Sequence, residues 1–351
     1  MSASSAGRFF ESFAVGETIE HATPRTITTG DQAVYTALYG SRFAAQSSDE
    51  FARSIGLPSA PIDDWLVFHI VLGKTVPDLS LNAIANLGYA AGQLLRPVFP
   101  GDTLRARSKV VGLKENSNGK SGIVYVRSEG LNQSDQVVLA YNRWVMVRKQ
   151  GDSPPPPPVI PTLPESVPAD DLALPADLAF DRYDTGLSGS NRLWDDYKIG
   201  EKIDHVDGVT VEESEHAMAT RLYQNTARVH FNQFSEKQGR FGRRLVYGGH
   251  AISLARSLSF NGLANAQFIV ALNGGRHVSP LFAGDTVFAW SEILGKAKND
   301  ALNGAGALRL RLVATKDEPC RNYPFRNEDG KYHPSVILDL DYWALMPRGV
   351  G

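Results

Sequence analysis

The chain is poor in cysteine. Cys320 is the single example among 351 residues. One thiol closes no intramolecular disulfide, which suits a reducing compartment. Nor can it anchor the multi-cysteine cage of a structural zinc site. Net charge is scarce as well: 36 Lys and Arg face 38 Asp and Glu, leaving -2. Nucleic acid as the main partner would need a broad basic surface, so that class is excluded. A small basic mouth for one anionic ligand is not. Long apolar runs are missing too. The stretch DDWLVFHIVLGKTV (63–76) is interrupted by His69 and Lys74 and falls short of the ~20 residues of a membrane span. The opening MSASSAGRFFESF has neither a basic nor an apolar region of a secretory signal. The expectation is a soluble cytoplasmic protein with no membrane partner. Phosphate-loop, nucleophile-elbow and His-Glu-x-x-His zinc motifs are absent from the sequence.

What is present is a 42% hydrophobic composition, enough for a sizeable core. Proline is concentrated in one place. The segment Gln150 to Gly186 contains the run Pro154–Pro158. Such a run lacks backbone donors and locks φ, so it forms neither helix nor central strand. It reads as a stiff connector laid over a surface. On either side of it the sequence repeats. FAVGETIEH (13–21) matches YKIGEKIDH (197–205), and YTALYGSRFAAQ (35–46) matches ATRLYQNTARVH (219–230), both 184 positions apart. RPVFPGDTL (96–104) matches SPLFAGDTV (279–287) at 183, and NRWVMVRK (142–149) matches DYWALMPR (341–348) at 199. The larger offset places an insertion in the second copy, around KDEPCRNYPFRNEDG (316–330). One offset held in order over ninety residues indicates duplication. The boundaries read as 1–149 for the first copy, 150–190 for the linker and 191–351 for the second copy.

Each copy opens with a short extended piece and a helical stretch. A polar loop leads to a long apolar helix, APIDDWLVFHIVLGKTV in the first copy and GGHAISLARSLSFNG in the second. Alternating, β-branched segments with short polar turns follow, which predicts antiparallel strands. The fold class is therefore α+β: a central helix wrapped in a curved antiparallel sheet, twice over.

This layout, with VGE near the start and PGDT after the helix, resembles the hot-dog fold of the MaoC-like dehydratases, or (R)-specific enoyl-CoA hydratases. Members carry an Asp-x-Asn-Pro-(Ile/Val)-His loop followed by an RFG-(K/R)-R entry to the central helix. Here RFGRRLVYGG (240–249) matches the second element closely. In the first element His230 keeps the histidine position and Val229 precedes it, but Asn225 stands where the aspartate would be and Thr226, Ala227 and Arg228 replace x-Asn-Pro. In the first copy Ser41 and Gln46 occupy the aspartate and histidine positions. The resemblance covers nearly the whole chain as a double hot-dog. HATPRTIT (21–28), YGSRFAAQSSDEFARSIGLP (39–58), residues 60–90 and YQNTARVHF (223–231) are similar to the branch of the family that hydrates mesaconyl-CoA.

The resemblance implies a hydro-lyase on an acyl-CoA thioester that interconverts β-methylmalyl-CoA with mesaconyl-CoA and water. It implies no metal and no cofactor beyond the CoA of the substrate, and a homodimer or larger homo-oligomer. The second copy is expected to carry the chemistry and the first to supply shape and binding surface. His230 is the acid–base candidate, because an imidazole near its ordinary pKa of ~6.5 exchanges protons in both directions. Asn225 can hold a water but not take a proton; its plainer reading is a helix-end or turn residue. Asp63 and Asp64 open the first apolar helix. One is read as a cap on free N–H groups, the other as the carboxylate that compensates for the missing aspartate. Gly248 and Gly249 open the second such helix. They serve close packing, an oxyanion hole for the thioester, or both. Tyr223 is grouped with the substrate-binding residues. Arg42 or Arg228 is assigned to the free carboxylate of the acyl chain, and Arg243 and Arg244 to the CoA phosphates; Arg240 belongs to the same cluster. His69 reads as a core histidine with a satisfied hydrogen bond, and His21 and His205 as an equivalent structural pair. Rival readings are a hydratase for straight enoyl or itaconyl thioesters, a thioesterase on the same fold, and a non-catalytic acyl-CoA binding module.

Overall fold

In a computed structural model of the chain, residues 7–172, 178–298 and 304–349 are described. The first half runs β1 (Thr18–Thr26), α1 (Thr29–Tyr39), two short helices α2 (Ala44–Ser47) and α3 (Asp49–Ser54), the long α4 (Asp64–Leu79), then β2 (Ala83–Leu94), β3 (Thr103–Glu115), β4 (Ser121–Leu131) and β5 (Val137–Arg148). After a one-turn α5 (Thr185–Ser188) the second half repeats the order. It comprises β6 (Lys202–Thr210), α6 (Glu213–Leu222), short α7 (Gln233–Glu236), α8 (Gly248–Leu258), short α9 (Phe260–Leu263), β7 (Phe268–His277), β8 (Thr286–Ala297), β9 (Ala305–Lys316) and β10 (Val336–Pro347).

The two halves share one antiparallel sheet of ten strands, ordered β1-β3-β4-β5-β2-β7-β10-β9-β8-β6. Each half contributes five strands in the same internal order. They join where β2 pairs β7, with Tyr89 opposite Gly275 and Gln93 opposite Ala271. Local chemistry sets the helix ends. Thr28 and Asp31 form a capping box on α1, and Gly40 closes it at φ 59°. Asp63 caps α4 by accepting the Trp65 N–H at 2.9 Å. Every residue of α4 except Asp64 and Pro77 is buried, as a helix apolar on all sides must be. It packs on β1, β3 and β5, and α8 packs on β6, β8 and β9. Repeat-related residues meet where the halves touch: the Tyr39 and Tyr223 hydroxyls lie 2.6 Å apart. His21 and His205 share a role, each bonding a serine of the neighbouring strand, Ser108 at 2.9 Å and Ser291 at 2.8 Å.

The connector keeps its proline run on the surface, as expected, and buries part of its later stretch. Val159 bridges to Leu113. Val167, Leu172 and Leu178 are buried in a cluster shared by Phe51 and Ile55 of the first half and Phe268 and Trp343 of the second. The Val167 N–H is held by Asn273 and its carbonyl accepts the Trp343 indole. Apolar residues after the proline run make this strap part of the core; its stretch 173–177 lies outside the described residues. The insertion between β9 and β10 lays Cys320 over Trp290, Val313 and Val336.

Candidate active site

A cavity of about 330 Å³ opens between the halves. The first half walls it with Leu72 and Val76 of α4, Tyr89 of β2 and Arg143 of β5, and the second with His230, Tyr247, Gly248 and His277. His230 ends a one-turn 3₁₀ segment, Arg228–His230. Its Nδ1 donates to the Leu245 carbonyl at 2.9 Å. That bond fixes the tautomer and leaves Nε2 with a free lone pair. The Tyr247 ring stands edge-on at 5.3 Å. Burial pushes the imidazole down to about 4, against the Leu245 hydrogen bond, which acts upward. His230 is thus neutral near pH 7 and presents a base to the cavity.

The sequence reading missed a second imidazole there. His277 ends β7 and lines the same cavity, and burial holds it at about 4. The start of α8 makes room for it. A Cβ on Gly248 would lie 2.3 Å from the His277 ring, and one on Gly249 would strike the Tyr247 and His69 rings. Both glycines are therefore required by packing. Gly248 also lines the cavity at a helix start that no side chain caps, where free N–H groups favour a developing negative charge.

Asn225 takes its plainer reading and keeps its place at the site. Its Oδ1 accepts the Ala227 N–H at 2.9 Å and shapes the turn toward His230. It also borders both the His230 cavity and a neighbouring one of about 640 Å³. Lys74, Arg221 and Arg244 line that second cavity. Gly73 of α4 holds the turn from below, since a Cβ there would meet the Tyr223 carbonyl oxygen at 2.0 Å.

Other candidates lie elsewhere. Neither Asp63 nor Asp64 lines the two cavities. Asp63 is the α4 cap, and Asp64 accepts the Ile269 N–H of β7 at 2.7 Å. Burial, then the Asp63 charge beside it, pushes Asp64 up to about 8. The compensating carboxylate is thus not found at His230: among the described residues no Asp or Glu lines either cavity. Tyr223 is fully buried against Tyr39 and reaches no cavity. Arg42 sits on the Phe260 ring and donates to Asn261 at 2.7 Å, remote from His230. Arg228 is exposed and lines neither cavity. Arg240 lines the His230 cavity, Arg243 lies over the Phe282 ring at 3.8 Å, and Arg244 pairs with Glu213. His69 is a core residue, but neither ring nitrogen has a hydrogen-bond partner of good geometry, because its neighbours are the rings of Trp65, Phe68 and Tyr223. Cys320 is buried, which drives its thiol up to about 12.

The repeat-related place in the first half is closed. Ser41, Gln46 and Asp63 border a void of about 10 Å³. Where the second half has Ala227, and where α4 offers Leu72 and Val76, the repeat puts Phe43, Arg256 and Phe260. The Arg256 guanidinium lies 3.6 Å from the Phe43 ring centroid, and Phe43 meets Phe260 edge-on at 5.5 Å. Gln46 is tied to the Gln267 carbonyl at 2.8 Å.

A family model described as mesaconyl-CoA hydratase matches residues 2–155. A Chloroflexus aurantiacus protein named beta-methylmalyl-CoA dehydratase is 64% identical over 97% of this chain and 97% of its own. A Cereibacter sphaeroides protein named mesaconyl-CoA hydratase is also 64% identical, over 98% of this chain and 99% of its own. The crystal structure of a Chloroflexus aurantiacus MaoC-domain dehydratase superposes with a TM-score of 0.96 at 62% identity, covering both chains fully. A Mycobacterium tuberculosis structure described as a double hot-dog fold aligns with a TM-score of 0.75 at 24% identity, over 97% of this chain and 98% of its own.

Proposed function

We infer the reaction from one premise: the chain belongs to the mesaconyl-CoA hydratase family of MaoC-like double hot-dog proteins. It is a hydro-lyase that interconverts β-methylmalyl-CoA with mesaconyl-CoA and water. The observation that supports a single site for this chemistry is the neutral His230 on a cavity walled by both halves.

In the hydration direction the acyl group enters the cavity with its thioester carbonyl toward the start of α8. His230 Nε2 takes a proton from water as the oxygen adds to the β-carbon. Negative charge moves onto the thioester oxygen, where the Gly248 N–H end of the helix stabilises it. The proton carried on His230 then passes to the α-carbon, so His230 ends neutral as it began. His277, held neutral by burial, is a second acceptor on the wall that can hold the attacking water. Asn225 sets the turn that presents His230. Arg240, which lines the cavity, and Arg243 near it in sequence meet the CoA phosphates, while Arg244 is held by Glu213. The reaction so drawn needs no cofactor, since CoA belongs to the substrate. No helix of the described residues is long and apolar enough to cross a membrane. A cytoplasmic location suits the single buried thiol, and a homo-oligomer suits the exposed Ile84 and Leu95.

Incubation with mesaconyl-CoA tests the reading. Loss of the conjugated thioester absorbance without release of free thiol is expected. Release of CoA would establish the thioesterase instead, and no turnover with binding would establish the binding module.

A further inference from the structure

Arg143 is 2% exposed, yet it forms no ion pair among the described residues. It sits on β5 and lines the His230 cavity beside Ser80, Asn86 and Tyr89. One Nη2 donates to Thr75 Oγ1 at 2.8 Å and reaches Ser80 Oγ at 3.4 Å. Its Nε has no hydrogen-bond partner among the described residues, and the Asn86 amide, beside Tyr89, has none of good geometry there. A buried cation is costly unless an opposite charge or a full set of acceptors compensates it. Arg256 shows what compensation looks like in this chain. It is 3% exposed and, without a direct ion pair among the described residues, is compensated by the nearby charges of Asp63 and Asp64 and by donation to Ser259 and the Ala266 carbonyl. Among the described residues, no acidic side chain lines the cavity around Arg143. The missing counter-charge has to come from what enters.

We propose that Arg143, with Asn86 and Ser80 beside it, binds the free carboxylate of the acyl chain and so selects thioesters of short dicarboxylic acids over plain enoyl thioesters. This rests on the hydratase reading above and specifies its substrate class. The geometry suits the task. A guanidinium offers paired donors to a carboxylate, and Asn86 supplies a further donor. At about 330 Å³ the cavity is at the small end for a ligand pocket, which fits an acyl group of a few carbons anchored at both ends. In β-methylmalyl-CoA the hydroxylated carbon is bonded directly to that carboxylate, so anchoring it also places the carbon that takes water. Arg143 replaces Arg42 and Arg228 in the role that the sequence reading gave them.

The test compares kcat/KM for mesaconyl-CoA with that for crotonyl-CoA, which lacks the carboxylate. Arg143→Met should lower this ratio about 10²-fold or more, and Arg143→Lys should fall between, because one bad or missing charge-assisted contact at a built polar site discriminates at that scale. A ratio within threefold of wild type, or equal losses on both substrates, would overturn the proposal. If Arg143→Met does not fold, binding to wild type and to Asn86→Leu decides. Methylsuccinyl-CoA should bind wild type at least about tenfold tighter than 2-methylbutyryl-CoA, its neutral counterpart, and Asn86→Leu should narrow the gap. Equal binding of the two thioesters overturns the carboxylate site. Binding selectivity without any turnover of mesaconyl-CoA would leave Arg143 in place and contradict the hydratase reading instead.

Discussion

The two halves follow the same path and differ in what fills them. In one, Ala227, Leu72 and Val76 leave about 330 Å³ open beside His230. In the other, Phe43, Arg256 and Phe260 stand at the related positions and about 10 Å³ remains beside Gln46. The arginines make the contrast sharper. Arg256 comes from the helix, lies on an aromatic ring and feels two aspartates. Arg143 comes from the strand, with no acidic neighbour in its cavity among the described residues. A duplicated fold has thus turned one site into packing and given the other a second wall. The plugged half still contributes α4, β2 and β5 to the open site, so the active unit is the whole chain.

Five substitutions test this contrast, grouped in falling order of effect. His230→Ala should lower turnover about 10²–10⁴-fold, the span for a general acid–base group, with little change in melting because the ring is held by the Leu245 carbonyl of a loop and not within the apolar core. Gln46→Ala at the related position should leave turnover within about threefold. Steady-state kinetics on both variants decides, and equal losses would dissolve the distinction. Next, Phe43→Ala should destabilise the chain by about 3–5 kcal/mol, as large-to-small changes at buried aromatics do, and strip Arg256 of its ring. Chemical denaturation measures this, and no second activity should appear. The opposite change, Ala227→Phe, should plug the open half and abolish binding of the acyl group with a smaller effect on melting. Last, Gly73→Ala sends a Cβ toward the Tyr223 carbonyl. It should raise KM or lower kcat several-fold by displacing the Asn225 turn, read against an unchanged far-ultraviolet spectrum.

pH sharpens the same comparison. Burial lowers His230 to about 4, so its neutral, basic form persists as the solution is acidified. The acid limb of kcat/KM should fall as pH drops through about 4, whereas an unperturbed imidazole would turn off near ~6.5. A limb near ~6.5 would show His230 to be well solvated.

Much of this was legible in the sequence. The constant offset exposed the duplication, and the RFGRR entry with His230 located the open half. Three things were not legible. Asp63 keeps the capping role read for one of the pair, but Asp64 read as a free carboxylate because its partner, the Ile269 N–H, is on a strand some two hundred residues away. His277 becomes a wall residue only because Gly248 lets its ring close on α8. Arg143 did leave a signal. It shares strand parity with Leu139, Tyr141, Val145 and Val147, all buried, and an arginine on the inward face of a strand needs a reason. The proline run lies on the surface as read; the part not legible is that Val167, Leu172 and Leu178 after it reach the core.

The central claim is one working site per chain. Titration with methylsuccinyl-CoA, which has no double bond to hydrate, measures it directly by calorimetry. The account predicts saturation at one ligand per 351-residue chain, with binding lost in Ala227→Phe and kept in a variant altered at Gln46. Saturation at two ligands per chain, or binding that survives the Ala227→Phe plug, would contradict it.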